Sequence, residues 1–144
     1  VLVLGLVGWS EYCRLEESVL RRGCSARLSQ IGQATFMYAE AHRGVLPDSM
    51  DALFRFFPDD MSPDVRACFL SGQPFVFLTP TQLVKTLRPD DVLAYEPEDA
   101  HAGRGLNVLF GDGRVEWVTD VPAFRRAMAA STRPTIPAPA FGPR

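Results

Sequence analysis

The stretch Asn107-Val-Leu-Phe-Gly-Asp-Gly-Arg-Val-Glu-Trp-Val118 carries the strongest structural signal in the chain. Apolar residues stand on both sides of the pair Asp112-Gly113, which interrupts the apolar pattern once. A tight turn between two strands requires positive φ, which glycine adopts freely and aspartate tolerates better than most residues. The stretch therefore predicts two antiparallel strands that are joined at Asp112-Gly113.

A long helix is predicted upstream of this hairpin, over residues 11–43. Apolar side chains recur there every three or four positions, which places them on one stripe of a helix with 3.6 residues per turn. Gly23 and Gly32 each cost about 1 kcal/mol in a helix interior, so we expect neighbouring structure to approach them closely. Gly44 and Pro47 end the helix. The stripe consists of Leu20, Cys24, Leu28, Ile31, Thr35, Tyr38 and His42.

Residues 1–10 form the most apolar part of this region. Val1 to Trp9 contain no charge, and the run ends in a tryptophan of the kind enriched at membrane interfaces. A spanning helix needs about twenty apolar residues, so the run predicts either the remnant of a longer membrane-spanning helix or a buried helix end. An apolar helix face that its own domain does not cover must meet lipid or copies of itself.

The rest of the chain predicts short elements around the hairpin. A chain of 144 residues with 47% hydrophobic residues is long enough for one core, which we assign to residues 11–130. The fold class is α+β, with the long helix packed on a small antiparallel sheet. Residues 131–144 are rich in proline and are predicted to be a disordered tail. The other predicted elements are helices over 50–57 and 79–87, strands over 75–78 and 92–95, and a last helix that ends near Ala130.

The charge balance argues against nucleic acid as a partner. The formal net charge is −2, from 15 basic and 17 acidic residues. Such a chain has no broad basic field with which to neutralise a phosphate backbone. We therefore expect no nucleic acid among its partners.

The three cysteines, Cys13, Cys24 and Cys68, do not have the spacing of a zinc site. No two of them lie two to four residues apart, and both histidines are distant from them along the chain. We therefore predict no metal ligands. In an oxidising compartment Cys24 bridges to Cys68 if the fold brings their α-carbons within about 4.4 to 6.8 Å. The alternative is that all three are small buried or half-buried apolar side chains.

Two groups of polar residues contain side chains that are capable of acid–base chemistry or of metal binding. His42, His101 and Asp112 contain the elements of an acid–base or metal constellation, but a turn explains Asp112 and a helix end explains His42. Oxygen ligands for calcium occur in the acidic turn formed by Glu96, Glu98 and Asp99, where a solvated turn is the favoured interpretation because no EF-hand pattern is present. The sequence also contains no nucleophile elbow or phosphate-binding glycine loop. We predict no catalytic and no cofactor-binding residue.

Two blocks of the sequence resemble a known bacterial family. Ten residues separate His101 from Asp112-Gly113, and this resembles the signature of prepilin-type, processing-associated proteins, in which a histidine, a nine-residue spacer and Asp-Gly follow one another. Arg27 and Ser29 stand where the family usually has asparagine and arginine. The resemblance spans residues 24–118, and its signature positions are Cys24, Gln30, Gly32, Tyr38, His42, Gly44, His101, Asn107, Asp112 and Gly113.

The resemblance implies a pilin-like fold and a structural function. It implies a non-enzymatic pseudopilin or minor pilin-like subunit of a type II secretion-like or type IV pilus-like filament. Such a subunit is single-pass in the inner membrane, with its globular domain extracytoplasmic, and its partners are membrane lipid, other pilin-like subunits and the assembly platform. The alternative hypothesis is an extracytoplasmic binding module that uses the acidic turn and the His101 loop to bind a metal ion or a glycan.

Overall fold

Two α-helices and a four-stranded antiparallel sheet make up the part of the chain that the computed structural model describes. Its backbone is described for residues 2–57 and 63–130, and its side chains for residues 14–57 and 65–130. The predicted tail, 131–144, lies outside these ranges. The α+β prediction is confirmed. The elements are α1 (Leu2–Ala41), β1 (Val76–Phe77), β2 (Val92–Tyr95), β3 (Leu106–Phe110), β4 (Val115–Val118) and α2 (Val121–Ala130), with 3-10 helices at Met50–Phe56, Pro63–Arg66 and Val84–Thr86.

The sheet is a meander in which each strand pairs with the next along the chain, in the order β1-β2-β3-β4. The predicted hairpin is present, with Leu109 opposite Val115 across the β3–β4 ladder. Gly113 has a φ of +86°, and the backbone N–H of Arg114 donates to Oδ1 of Asp112 at 3.1 Å. The positive φ that the sequence predicts is therefore present at Gly113 but not at Asp112, which supports the turn through its side chain instead.

Helix α1 lies against one face of the sheet, and α2 lies against the other. Alternate residues of the strands face opposite sides, as a strand period of two requires. Leu93 and Leu109 join Leu28 and Ile31 of α1 in one buried cluster. The second cluster contains Val92, Leu106, Val108, Phe110 and Val118, with Val121 and Phe124 of α2.

The helical glycines lie where neighbouring structure comes close, as predicted. A Cβ built on Gly32 would lie 2.9 Å from Cδ1 of Leu109 on β3, and one on Gly23 would lie 3.1 Å from Cδ2 of Phe69. Helix α1 ends at Ala41, two residues before the predicted end. Gly44 follows with a φ of +84°, and its N–H donates to the carbonyl of Ala39 at 2.7 Å.

The described side chains at the N-terminal side of α1, residues 14–22, have little cover from the domain. From Arg14 to Arg22 no side chain is buried, and Leu15 and Val19 are 66% and 63% exposed. Burial of α1 begins at Cys24 within the described side chains. The side chains of the predicted membrane remnant, 1–10, are outside the described set. None of the described helices combines the length and apolar composition that a membrane span requires.

Two predicted helices are wrong in part. The segment 79–87 is mostly extended and contains only the 3-10 turn Val84–Thr86, because its backbone pairs with the chain that follows α1. Leu46 N–H donates to Gln82, and Val84 N–H donates to Gly44. The predicted helix over 50–57 is present as a 3-10 helix at Met50–Phe56, but the predicted cap is wrong, because the side chain of Ser49 makes no capping hydrogen bond.

Candidate functional site

Four side chains that are capable of binding metal meet beneath α1, and we call them the buried tetrad: Cys24, Cys68, Glu96 and His101. Their thiol, carboxylate and imidazole ligand atoms all lie within 4.8 Å of one another, and each side chain is buried. They come from three separate parts of the chain. Cys24 is on α1, Cys68 follows the second 3-10 helix, and Glu96 and His101 follow β2.

The contacts within the tetrad form a continuous chain. The two sulfur atoms are 3.2 Å apart, so the cysteines are separate thiols here. Sγ of Cys68 lies 3.9 Å from Nε2 of His101, and the same Nε2 lies 3.0 Å from Oε1 of Glu96. Nδ1 of His101 is buried and has no hydrogen-bond partner within the described part of the chain. The contacts within the tetrad therefore leave one of its buried polar atoms, Nδ1 of His101, without a hydrogen bond from the described residues.

Cys68 is held against the helix by its neighbours in the loop. The guanidinium of Arg27 donates to the carbonyl of Ala67 at 2.7 Å and lies 3.6 Å from the ring centroid of Phe69. The backbone N–H of Phe69 donates to Sγ of Cys24 at 3.1 Å. Since Gly23 has no side chain, the Phe69 ring can approach the helix at that point. Arg27 and Phe69 therefore fix the position of Cys68 opposite Cys24.

Glu96 and His101 are held by the hairpin. The N–H of Asn107 donates to Oε2 of Glu96 at 2.5 Å, and the Asn107 amide donates to the carbonyl of Arg21 on α1 at 3.2 Å. The Trp117 ring meets the His101 ring edge to face, with centroids 5.2 Å apart. Asn107 thus connects β3, the carboxylate of Glu96 and the helix.

Burial disfavours the charged thiolate form of Cys24. It raises the pKa of Cys24, and the hydrogen bond with Cys68 raises it further, whereas the N–H of Phe69 lowers it. A thiol with a raised pKa is a weak nucleophile, because the thiolate is the reactive form. This environment does not suit a catalytic cysteine unless a cation replaces the proton.

The two signature blocks pack on each other. Cys24 and His101 join the tetrad, Asn107 connects both blocks, and Gly32 lies under Leu109. The remaining positions have structural surroundings. Asp112 and Gly113 form the hairpin turn, Gly44 ends α1, and Gln30 is half-buried beside a groove of about 310 Å³ that Phe56 and Phe57 also line.

The three residues of the acid–base constellation considered above, His42, His101 and Asp112, each contact a different partner. Exposed His42 stacks on Tyr38 at 3.8 Å between centroids, and its Nδ1 lies 2.7 Å from the Tyr38 carbonyl. Asp112 pairs with Arg114 at 2.7 Å. The predicted roles of His42 at a helix end and of Asp112 in a turn are therefore confirmed, while His101 pairs with Glu96.

The prediction of a solvated acidic turn is wrong for Glu96. Its side chain is fully buried, because it continues the inward pattern of β2 and meets two donors there. Glu98 instead forms an ion pair with Arg125, and Asp99 accepts from the Gln73 amide at 3.3 Å. The three acidic residues therefore do not form a common oxygen site.

Sequence spacing missed the participation of Cys68 and Glu96. Zinc-site motifs are recognised from cysteines and histidines that are close along the chain. The tetrad instead joins positions that are far apart in sequence. The suggested approach of Cys24 to Cys68 is present. One signal pointed to Glu96: a carboxylate that directly follows an apolar strand and precedes a histidine by five residues.

Comparison with known proteins found no relative. No family model, curated protein or solved structure matches the chain.

Proposed function

We propose that the chain is a non-enzymatic pseudopilin or minor pilin-like subunit. Its N-terminal helix anchors it in the inner membrane, its globular domain is extracytoplasmic, and it contributes to a type II secretion-like or type IV pilus-like filament. The observation that carries the proposal is the uneven burial of α1. The helix packs on the sheet from Cys24 onward, and it continues for more than twenty residues in the N-terminal direction.

The exposed part of α1 needs a partner. Leu15 and Val19 are four residues apart, which places them on one face of the helix, and both are about two-thirds exposed. The residues from Leu2 to Trp9, which carry no charge, precede them on the same helix. Apolar side chains on a helix gain free energy when lipid or the helix of another subunit removes them from water. A filament core or a bilayer provides that environment.

The contacts of the signature residues support a structural role. Gly32 allows β3 to approach α1, Asn107 donates to a helix carbonyl, and Gly113 lies against Phe36 of α1. These contacts fix the helix on the sheet. A subunit that is held in an assembly through its helix needs such a rigid junction, because force on the helix is transmitted to the domain there.

The experiment is sedimentation velocity of the chain in plain buffer and in a mild detergent. We expect association in buffer and a single small species in detergent, because detergent covers the exposed helix face. A chain that sediments as the same monomer in both solutions at high concentration would contradict the proposal.

Two single substitutions on the same helix give a matched comparison. Leu15→Gln removes an apolar side chain from the exposed half, and we expect it to weaken association in buffer. Met37→Gln changes a side chain that is 52% exposed in the half that packs on the domain, and we expect it to leave association unchanged. Equal effects of the two variants would remove the support for a specific face.

A further inference from the structure

We propose that the buried tetrad is a structural zinc site. Zinc prefers four ligands in a tetrahedral arrangement and accepts thiolate, imidazole and carboxylate groups. Two cysteines, one histidine and one glutamate supply four such ligands. Because all four side chains are buried, the site offers no open position for a substrate, which distinguishes a structural site from a catalytic one.

The distances within the tetrad fit that geometry. From bond lengths of about 2.3 Å to sulfur and about 2.1 Å to nitrogen or oxygen, a tetrahedral zinc site has ligand separations of about 3.8 Å between sulfurs, 3.6 Å between sulfur and nitrogen, and 3.4 Å between nitrogen and oxygen. The corresponding separations here are 3.2, 3.9 and 3.0 Å. Changes of about 0.3 to 0.6 Å bring these three of the six separations to the tetrahedral values, and the other three are within 4.8 Å.

Two of the four ligands, Cys24 and Glu96, have outer hydrogen bonds of the kind found at metal sites, whereas Nδ1 of His101 has no such partner among the described residues. The N–H of Phe69 donates to Sγ of Cys24, and the N–H of Asn107 donates to Oε2 of Glu96. Outer hydrogen bonds of this kind orient metal ligands and stabilise their negative charge. They leave the other oxygen of Glu96 and Nε2 of His101 directed towards each other at 3.0 Å, where a cation can replace their hydrogen bond.

Zinc binding has a defined proton balance. Each cysteine thiol loses its proton to solvent as its Zn–S bond forms. The proton of the hydrogen bond between Nε2 of His101 and Oε1 of Glu96 moves to Nδ1, so that the neutral imidazole binds through Nε2 and the carboxylate through Oε1. No electron is transferred. The bound ion would connect α1, the Cys68 loop and the β2–β3 loop at one point, which stiffens the junction between the helix and the sheet.

The principal alternative is a disulfide between Cys24 and Cys68, and one preparation distinguishes them. The chain is expressed with zinc in the medium, purified without reductant, and examined for metal by mass spectrometry and for free thiols by alkylation after denaturation. We expect one zinc ion per chain and alkylation of both Cys24 and Cys68. Metal-free protein in which Cys24 and Cys68 are covalently linked would overturn the proposal.

Cobalt gives a second test on the unaltered chain. After reduction and removal of zinc, Co²⁺ in a tetrahedral thiolate site produces intense visible absorption. We expect this spectrum at one equivalent, and its absence would overturn the proposal.

Variants identify the ligands. We expect His101→Gln and Cys68→Ser to weaken zinc binding by about a hundredfold or more, since loss of outer partners alone costs ten- to a hundredfold. Circular dichroism checks that each variant folds. Cys13→Ser is the control, because Cys13 lies about 16 Å from Cys24 along α1. Unchanged affinity in folded His101→Gln would contradict the assignment.

Discussion

Oε1 of Glu96 lies 3.0 Å from Nε2 of His101, and neither side chain reaches solvent. The two residues are five positions apart and close the loop that leads from β2 to β3. The other carboxylate oxygen of Glu96 accepts the N–H of Asn107 at the start of β3. One buried carboxylate therefore supports both the loop and the hairpin that the sequence signature marks.

Glu96→Ala should destabilise the fold strongly. It leaves the Asn107 N–H and Nε2 of His101 buried without an acceptor, and it opens a cavity. We expect a loss of about 3 kcal/mol in the free energy of unfolding. Urea denaturation in the presence of chelator and reductant measures this loss independently of metal binding or disulfide formation.

Glu98→Ala is the matched control on the same turn. Its carboxylate pairs with the exposed guanidinium of Arg125, whose pKa is raised by that contact. Exposed pairs contribute little because water and salt screen them. A Glu98→Ala variant as unstable as Glu96→Ala would show that burial of Glu96 is not the decisive difference.

Gly111→Ala should also destabilise the protein, for steric reasons. A Cβ at position 111 would lie 2.1 Å from the carbonyl oxygen of Arg88, which is backbone and cannot rotate away. We expect a cost of about 3 kcal/mol in the free energy of unfolding, as for other overpacked sites. Thermal or urea denaturation measures it.

Gly72→Ala provides the comparison for Gly111→Ala. Gly72 has a φ of +68° and open space around it, so alanine there meets backbone strain alone, which costs about 1 kcal/mol. If the two variants unfold at the same urea concentration, steric contact with Arg88 does not determine the effect at position 111.

Tyr95→Phe should flatten the loss of stability at alkaline pH. Burial raises the pKa of Tyr95, and the charge of Glu98 adds to the rise. Because the folded pKa exceeds the unfolded value, the contribution of Tyr95 is fully present below about pH 10 and is lost as the pH rises through the folded pKa. Urea denaturation of the wild-type protein and of Tyr95→Phe from neutral to alkaline pH tests this expectation. If the free energies of unfolding of the two proteins fall in parallel as the pH rises, the expectation is refuted.

Local patterns predicted much of the fold correctly. The Asp112-Gly113 turn and the long helix follow from backbone preferences and apolar spacing, which act over a few residues. The segment 79–87 shows where such reasoning fails. Its helix signals were outweighed by backbone hydrogen bonds of Val84 with Gly44 and of Gln82 with Leu46, whose partners lie 40 and 36 residues apart along the chain.

The buried tetrad was harder to predict because it depends on tertiary structure. Cys24 meets Cys68 where Arg27 holds the loop that contains Cys68 against α1, and no spacing rule encodes that contact. Glu96 was assigned to solvent because neighbouring acidic residues suggested a solvated turn. Its burial depends on donors from His101 and Asn107, which the chain supplies later in the sequence.

We propose that the N-terminal half of α1 contacts lipid or sister subunits. Amide hydrogen exchange, read by mass spectrometry with and without vesicles of phosphatidylethanolamine and phosphatidylglycerol, tests it most directly. We predict that residues 24–41 are protected in both conditions and that residues 14–22 become strongly protected only with vesicles or at concentrations where the chain self-associates. Equal, unchanging protection of both halves in dilute buffer would contradict the account.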